Sequence, residues 1–223
     1  MASHPPFQLA PSLASAPLSH LAEVVAELET AGVDALHFDI EDGHFVPLMT
    51  LGTRLIGELR PLTRLPFDTH LMVSNPEEIV PLVAEAGSDS ISVHYEVCQY
   101  PRRTLRQIRA LGRRAGMAFN PKTPLPPLDY LLPHLDFVVI LTTEPEFPDC
   151  PFLPEILDKV RAAADFARAR HPSLGIVADG GIDARNVRQV VEAGATMIVA
   201  GRGVFSGGRI AENVQRMRAA TGG

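Results

Sequence analysis

The chain has 223 residues, 46% of them apolar and 21% charged, with 20 Lys and Arg against 26 Asp and Glu for a formal net charge of −6. This is the composition of an ordinary folded protein and excludes disordered and fibrous classes. The negative balance argues against nucleic acid or a membrane surface as partner, while a small anionic ligand held by local donors stays open.

Cys98 and Cys150 are the only cysteines, too few for a disulfide framework or a zinc finger, which points to a reducing, cytoplasmic compartment. Residues 1–10 carry no basic start and no long apolar run, so no signal peptide is expected, and no apolar stretch approaches the length of a membrane span.

Along the chain, short apolar runs alternate with helical patterns. Gln8–Pro11 is a weak first strand. Leu21, Val24, Val25 and Leu28 fall at helical spacing and the pattern stops at Gly32, a C-cap signal. Strand-like runs follow at residues 35–40, 65–71, 90–94, 116–119, 137–141, 175–178 and 196–200. Helices are expected over residues 76–86, 103–115, 154–170 and 184–193, and the pairs Ala31-Gly32, Ala86-Gly87, Ala115-Gly116 and Ala193-Gly194 read as stop signals. Strands alternating with helices imply parallel β-structure with right-handed crossovers. About eight units of roughly 28 residues match an α/β fold of the (β/α)8 TIM-barrel type as one domain over residues 1–223, with a doubly wound open sheet as the alternative.

In such a barrel the chemistry sits where the strands end. The second run ends His37-Phe38-Asp39, and the two-residue period of a strand puts His37 and Asp39 on one face. The third ends Asp68-Thr69-His70-Leu71-Met72, and the seventh Ala178-Asp179-Gly180-Gly181. Two imidazoles and two carboxylates from three strand ends, His37, Asp39, His70 and Asp179, suit one divalent ion of Zn, Fe(II), Mn or Co.

Ala10-Pro11-Ser12, the His37-Phe38-Asp39 segment, the string 42–47 (Asp-Gly-His-Phe-Val-Pro), His70-Leu71-Met72, residues 120–124 (Asn-Pro-Lys-Thr-Pro) and Asp179-Gly180-Gly181 together resemble the ribulose-phosphate 3-epimerase family. The resemblance runs collinearly from Ala10 to about Phe205. It implies a cytoplasmic homo-oligomer of the ribulose-phosphate-binding barrel type, with the ion on His37, Asp39, His70 and Asp179. It further implies that Asp39 and Asp179 are acid and base on opposite faces of a sugar phosphate, inverting the carbon beside the ketone through a cis-enediolate. The family default is D-ribulose 5-phosphate to D-xylulose 5-phosphate in the pentose phosphate pathway. Ser12, His70 and Met72 would bind substrate, with Met72 packed over the planar intermediate. Gly180, Gly181, Gly201 and Arg202 follow the seventh and eighth strands, where backbone N–H groups hold a phosphate in this fold.

The chain departs from the family pattern at several places. Arg202 stands where a Ser is usual, and Arg grips a phosphate bidentately. In the sixth loop, Glu146, Pro148, Asp149 and Cys150 replace a glycine-rich lid, placing negative charge and a stiff, donor-free residue where a dianion would lie. Glu41 and Leu141 stand where Met is usual. Lys122 ends the fifth strand and is read as a loop lysine or anion contact, with a Schiff-base role as the alternative. These departures keep two other readings open: an epimerase for a different ketose or ketose phosphate, and a non-catalytic sugar-phosphate-binding barrel. A lyase on the same barrel would carry an Asp-x-Lys-x-x-Asp string, and residues 39–42 contain no Lys.

Overall fold

The computed structural model describes residues 7–145 and 151–222. Eight strands form one parallel sheet: β1 (Gln8–Pro11), β2 (Leu36–Glu41), β3 (Phe67–Met72), β4 (Ser90–His94), β5 (Arg114–Phe119), β6 (Phe137–Leu141), β7 (Gly175–Asp179) and β8 (Met197–Ala200). Their order is β1-β8-β7-β6-β5-β4-β3-β2, and a parallel bridge between Ser12 and His37 joins the two ends. The result is a (β/α)8 TIM barrel, and the open-sheet alternative is excluded.

The helices are α1 (Leu21–Ala31), α2 (Thr53–Leu59), α3 (Pro76–Ala86), α4 (Pro101–Ala110), α5 (Leu157–Arg170), α6 (Val187–Glu192), α7 (Arg202–Phe205) and α8 (Ile210–Ala219). In α1 the buried residues are Leu21, Val24, Val25 and Leu28, the stripe that the spacing predicts. Gly32 ends it in the left-handed region at φ 77°, its N–H bonded back to the carbonyls of Leu28 and Glu29. Among the described residues no helix is long and apolar enough to cross a membrane.

The helix expected over residues 103–115 is shifted. Pro101 starts α4 at the first helical position, and the chain turns through Gly112 at φ 74°. Ala115 and Gly116 then lie inside β5, so this pair is no helix stop. Gly116 has a packing reason instead: a Cβ there would lie 2.3 Å from the Phe137 ring. The stretch 184–193 is helical only over α6, and 154–170 opens with a 3-10 turn at Pro154–Ile156 before α5.

The strands alternate between two environments. Leu36, Phe38, Ile40, Phe67, Leu71, Ile91 and Val93 join the core between sheet and helices. The other phase faces the barrel interior, and there the ring is divided. Ala10, Ala118, Phe137, Val139, Leu141, Val177 and Val199 form an apolar inner cluster drawn mainly from β5–β8 and β1. The corresponding positions of β2, β3 and β4 are polar and buried: His37 and Asp39, Asp68 and His70, Ser90, Ser92 and His94. Buried polar groups need partners, and most of these side chains bond to one another, Ser92 Oγ being an exception among the described residues.

Candidate metal centre and active site

The network converges at the strands' C-terminal ends. One ligand atom from each of His37, Asp39, His70 and Asp179 can be chosen so that all lie within 4.8 Å of one another. His37 Nε2 is 3.1 Å from Asp39 Oδ1 and 3.9 Å from Asp179 Oδ2. His70 Nδ1 is 3.6 Å from Asp39 Oδ1 and 3.4 Å from Asp179 Oδ2. Both imidazoles are fully buried, whereas the aspartate side chains keep 11% and 16% of their surface, enough to meet a ligand from the mouth.

Each group is held from behind. The far nitrogen of His37, Nδ1, bonds to Asp68 Oδ2 at 2.8 Å, and Asp68 Oδ1 accepts from Ser90 at 2.5 Å. With Nδ1–H donating to a carboxylate, Nε2 is the nitrogen that faces the cluster, the arrangement in which a carboxylate orients a metal-binding histidine. Asp39 Oδ2 accepts from Ser12 Oγ at 2.5 Å. Asp179 is fixed through its backbone, whose carbonyl accepts from Thr142 N at 2.7 Å.

Burial and charge oppose each other at His37, Asp39 and His70. Burial alone would lower the His37 pKa, but Asp39 and Asp68 outweigh it and raise it well above the usual imidazole range. His70 is raised too, burial being overcome by Asp179 and Asp39. Burial pushes Asp39 up, yet His37 and His70 hold it far below the usual carboxylate range. Positive charge at this point is strongly favoured. His70 Nδ1 is moreover a buried nitrogen without a well-formed hydrogen bond among the described residues, its nearest acceptors being Asp179 Oδ2 at 3.4 Å and Asp39 Oδ1 at 3.6 Å. Mixed imidazole and carboxylate donors of this kind fit a divalent ion.

His94 and Glu96 extend the network and were not singled out from the sequence. His70 Nε2 meets His94 Nε2 at 2.9 Å, and His94 Nδ1 meets Glu96 Oε2 at 3.0 Å. Burial, with His70 adding to it, pushes the His94 pKa down to about 4 against the pull of Glu96. Glu96 Oε1 accepts from Asn120 N at 2.8 Å. The available signal was His94 itself, a histidine that ends the fourth apolar run on the same inward phase as His37 and His70 in theirs.

The remaining expected site residues fall around the mouth. Met72 is buried at the end of β3, in register with Glu41. Glu41 turns away from the cluster and accepts from Thr50 N at 2.7 Å. Leu141 joins the apolar inner cluster. Gly180 and Gly181 take left-handed φ values of 115° and 66°, and a Cβ on Gly181 would lie 2.8 Å from Phe152 N. Gly203 sits so close to the turn after β7 that a Cβ would be 2.3 Å from Ile182 O. The glycine turns after β7 and β8 therefore pack against each other, with Gly201 and exposed Arg202 at the start of α7. Glu146, Pro148, Asp149 and Cys150 lie outside the described residues. Lys122 is exposed in the turn after β5; it is Lys159 that binds that loop, bonding to the carbonyls of Asn120, Pro121 and Thr123.

A cavity of about 670 Å³ lies at the opposite end of the barrel, lined by Gln8, Arg60, Arg114 and Ser90 among others. It contains none of the four clustered side chains. Asp68 alone links it to them.

The profile of the Ribulose-phosphate 3 epimerase family matches residues 8–205. This chain belongs to that family. Membership makes it an enzyme of the isomerase class, an epimerase. It is 43% identical to the ribulose-phosphate 3-epimerase of Synechocystis sp. over 212 residues, 94% of this chain and 92% of the relative. It is 37% identical to the Bacillus subtilis ribulose-phosphate 3-epimerase over 199 residues, 89% and 92% of the two chains. The chloroplastic enzyme of Arabidopsis thaliana is 38% identical over 95% of this chain and 76% of its own. Among solved structures, orotidine 5'-phosphate decarboxylase from Pyrococcus horikoshii superposes with a TM-score of 0.67 at 17% identity, covering 97% of this chain and all of that one. At that identity the likeness concerns the fold alone.

Proposed function

We propose that the protein is a metal-dependent 3-epimerase that interconverts D-ribulose 5-phosphate and D-xylulose 5-phosphate. The observation that carries the reading is the convergence of His37, Asp39, His70 and Asp179 at the barrel mouth, in a chain of this family. His37 Nε2, His70 Nδ1 and one oxygen of each aspartate would hold the ion. A bound divalent cation supplies Lewis-acid charge that offsets the negative charge developing on the ketone oxygen.

The chain's own residues supply the proton chemistry. Inverting a carbon beside a ketone requires removing its proton from one face and returning one on the other. Asp39 comes from β2 and Asp179 from β7, so one aspartate, ionised, would take the proton while the other, entering protonated, would give one, and the pair ends with the two protonation states exchanged. Because the reaction runs both ways, the two exchange acid and base roles with direction. Ser12 holds Asp39 by the oxygen that does not face the histidines. Met72 closes the site with an apolar side chain. The packed glycine turns after β7 and β8 offer backbone N–H groups to the phosphate, and Arg202 adds a charged grip. A cytoplasmic, homo-oligomeric state belongs to the same proposal, supported by the scarcity of cysteine and by the family resemblance.

The second reading, an epimerase for a different ketose or ketose phosphate, draws on the replacements in the sixth loop and on Arg202. Incubating the enzyme in heavy water with ribulose 5-phosphate, other ketose phosphates and free ketoses decides between them. Deuterium at C3 of ribulose 5-phosphate, faster than for any other sugar in the panel, is the expected result. Faster labelling of another sugar establishes the second reading. No labelling of any sugar by the metal-loaded protein overturns both and leaves the non-catalytic barrel.

A further inference from the structure

Two carboxylates stand behind the two histidines of the cluster, and they act over different distances. Asp68 touches His37 directly. Glu96 reaches His70 only through His94, in the line Glu96 Oε2, His94 Nδ1, His94 Nε2, His70 Nε2. The His70 and His94 rings are inclined by only 22°. Their centroids are 4.8 Å apart while the two Nε2 atoms are 2.9 Å apart, so the rings meet through these nitrogens at N–H···N distance.

The direction of each bond in that line is fixed from its outer end. Glu96 accepts from the backbone N–H of Asn120 and, as a carboxylate, can only accept from His94. The His94 proton is therefore on Nδ1. A neutral His94 then has a bare Nε2, and the 2.9 Å contact is a hydrogen bond only if His70 carries its proton on Nε2. With Nε2 committed to His94, Nδ1 is the nitrogen that faces Asp39 and Asp179, and it is the one a cation can take once any proton there is displaced. His94 is fully buried, and Phe45 packs on its ring with centroids 4.4 Å apart, so water does not compete for the bond.

We propose that His94 and Glu96 are positioning residues that set the tautomer of His70, so that its Nδ1 is presented to a divalent cation between Asp39 and Asp179. The proposal rests on the metal reading given under Proposed function. It also accounts for Phe45, in the string 42–47, as the side chain that keeps the relay dry.

Two measurements test it, with Co(II) as the probe. In the metal-free wild-type protein labelled with 15N-histidine, the ring nitrogens of His70 and His94, assigned with single His variants, report the tautomer. Protons on His70 Nε2 and His94 Nδ1 are expected. A bare His70 Nε2, or a His94 proton on Nε2 instead of Nδ1, overturns the proposal. Second, Co(II) affinity and its visible spectrum are compared in wild type, His94→Phe and His94→Gln. The Gln side chain offers an acceptor to His70 and a donor to Glu96. His94→Phe should bind Co(II) about 10- to 100-fold more weakly with an altered spectrum, and His94→Gln should recover most of the loss. Folded His94→Phe with wild-type affinity and spectrum overturns the relay. A wild-type protein that binds no Co(II) instead overturns the metal reading itself.

Discussion

Ser12 Oγ donates a 2.5 Å hydrogen bond to Asp39 Oδ2 at the point where the first and second strands close the barrel. The bond occupies one carboxylate oxygen and turns the other toward His37 and His70. Ser12→Ala should lower kcat about tenfold, the effect of losing a hydrogen bond to a charged group worth about 1.5 kcal/mol. The thermal midpoint should change little. Steady-state rates and a melting curve on the same preparation check this.

Asp39 and Asp179 have separate duties if each serves one face of the sugar. Asp179→Asn and Asp39→Asn should each reduce epimerisation by about 100- to 10,000-fold while the far-ultraviolet circular dichroism stays native. Unchanged solvent-deuterium incorporation in either variant would refute the two-carboxylate mechanism.

Arg202 begins α7 beside the packed glycine turns. Arg202→Ala should raise KM for a phosphorylated substrate by roughly 10- to 100-fold, the range of one charge-assisted contact, and leave KM for the free sugar unchanged. Equal rates of the wild-type enzyme on the phosphorylated and free sugar would remove Arg202 from the phosphate site.

Asp42 ties the loop after β2 to the loop after β3. Its Oδ1 accepts from His44 N and Phe45 N at 2.8 Å each, and its Oδ2 from Ser74 N at 2.7 Å. Burial raises its pKa, but these three N–H donors outweigh that and hold it down at about 2, against an ordinary 3.8. A depressed carboxylate stabilises the fold above its unfolded pKa and loses that contribution as the pH falls through its folded value. Asp42→Ala should therefore lower the urea midpoint at pH 7, and the gap to wild type should shrink as the pH falls from about 4 toward 2. A gap independent of pH would mean that the charge is irrelevant.

Gly116 and Phe137 make a packing pair inside the barrel. Gly116→Ala forces a methyl group into the ring and should cost about 1–3 kcal/mol of stability. Adding Phe137→Leu should return part of that loss, measured by denaturant unfolding of the two variants and their combination. If the double variant is no more stable than Gly116→Ala alone, the ring is not what restricts the position.

Much of the barrel was legible in the sequence because buried parallel strands and amphipathic helices have different periods. Ser90–His94 and Phe137–Leu141 stand where the apolar runs placed them. Ala115-Gly116 misled, since a small-residue pair serves equally as a helix stop and as room for an aromatic ring. The turn of α2 and the last helix, α8, carry short or diluted stripes and were not distinguished from loop. The four clustered residues were readable because each lies on the inward phase of its strand, although β2 and β3 run two residues past Asp39 and His70 and only Asp179 ends its strand. His94 lies on that phase too, but its role depends on meeting His70 across neighbouring strands, a relation between side-chain atoms that periodicity does not report. Glu41 shows the converse. It shares the phase of His37 and Asp39, yet a loop amide at Thr50 draws it aside.

The clustered side chains come from β2 and β3 early in the chain and from β7 near its end. A nascent polypeptide therefore cannot assemble the site until the seventh strand has left the ribosome. An ion that binds the finished cluster, and not the unfinished chain, adds its binding free energy to barrel closure. Cells short of that ion would then lose the protein itself to proteolysis, and the deficit would be visible as reduced abundance on a blot as well as slowed turnover.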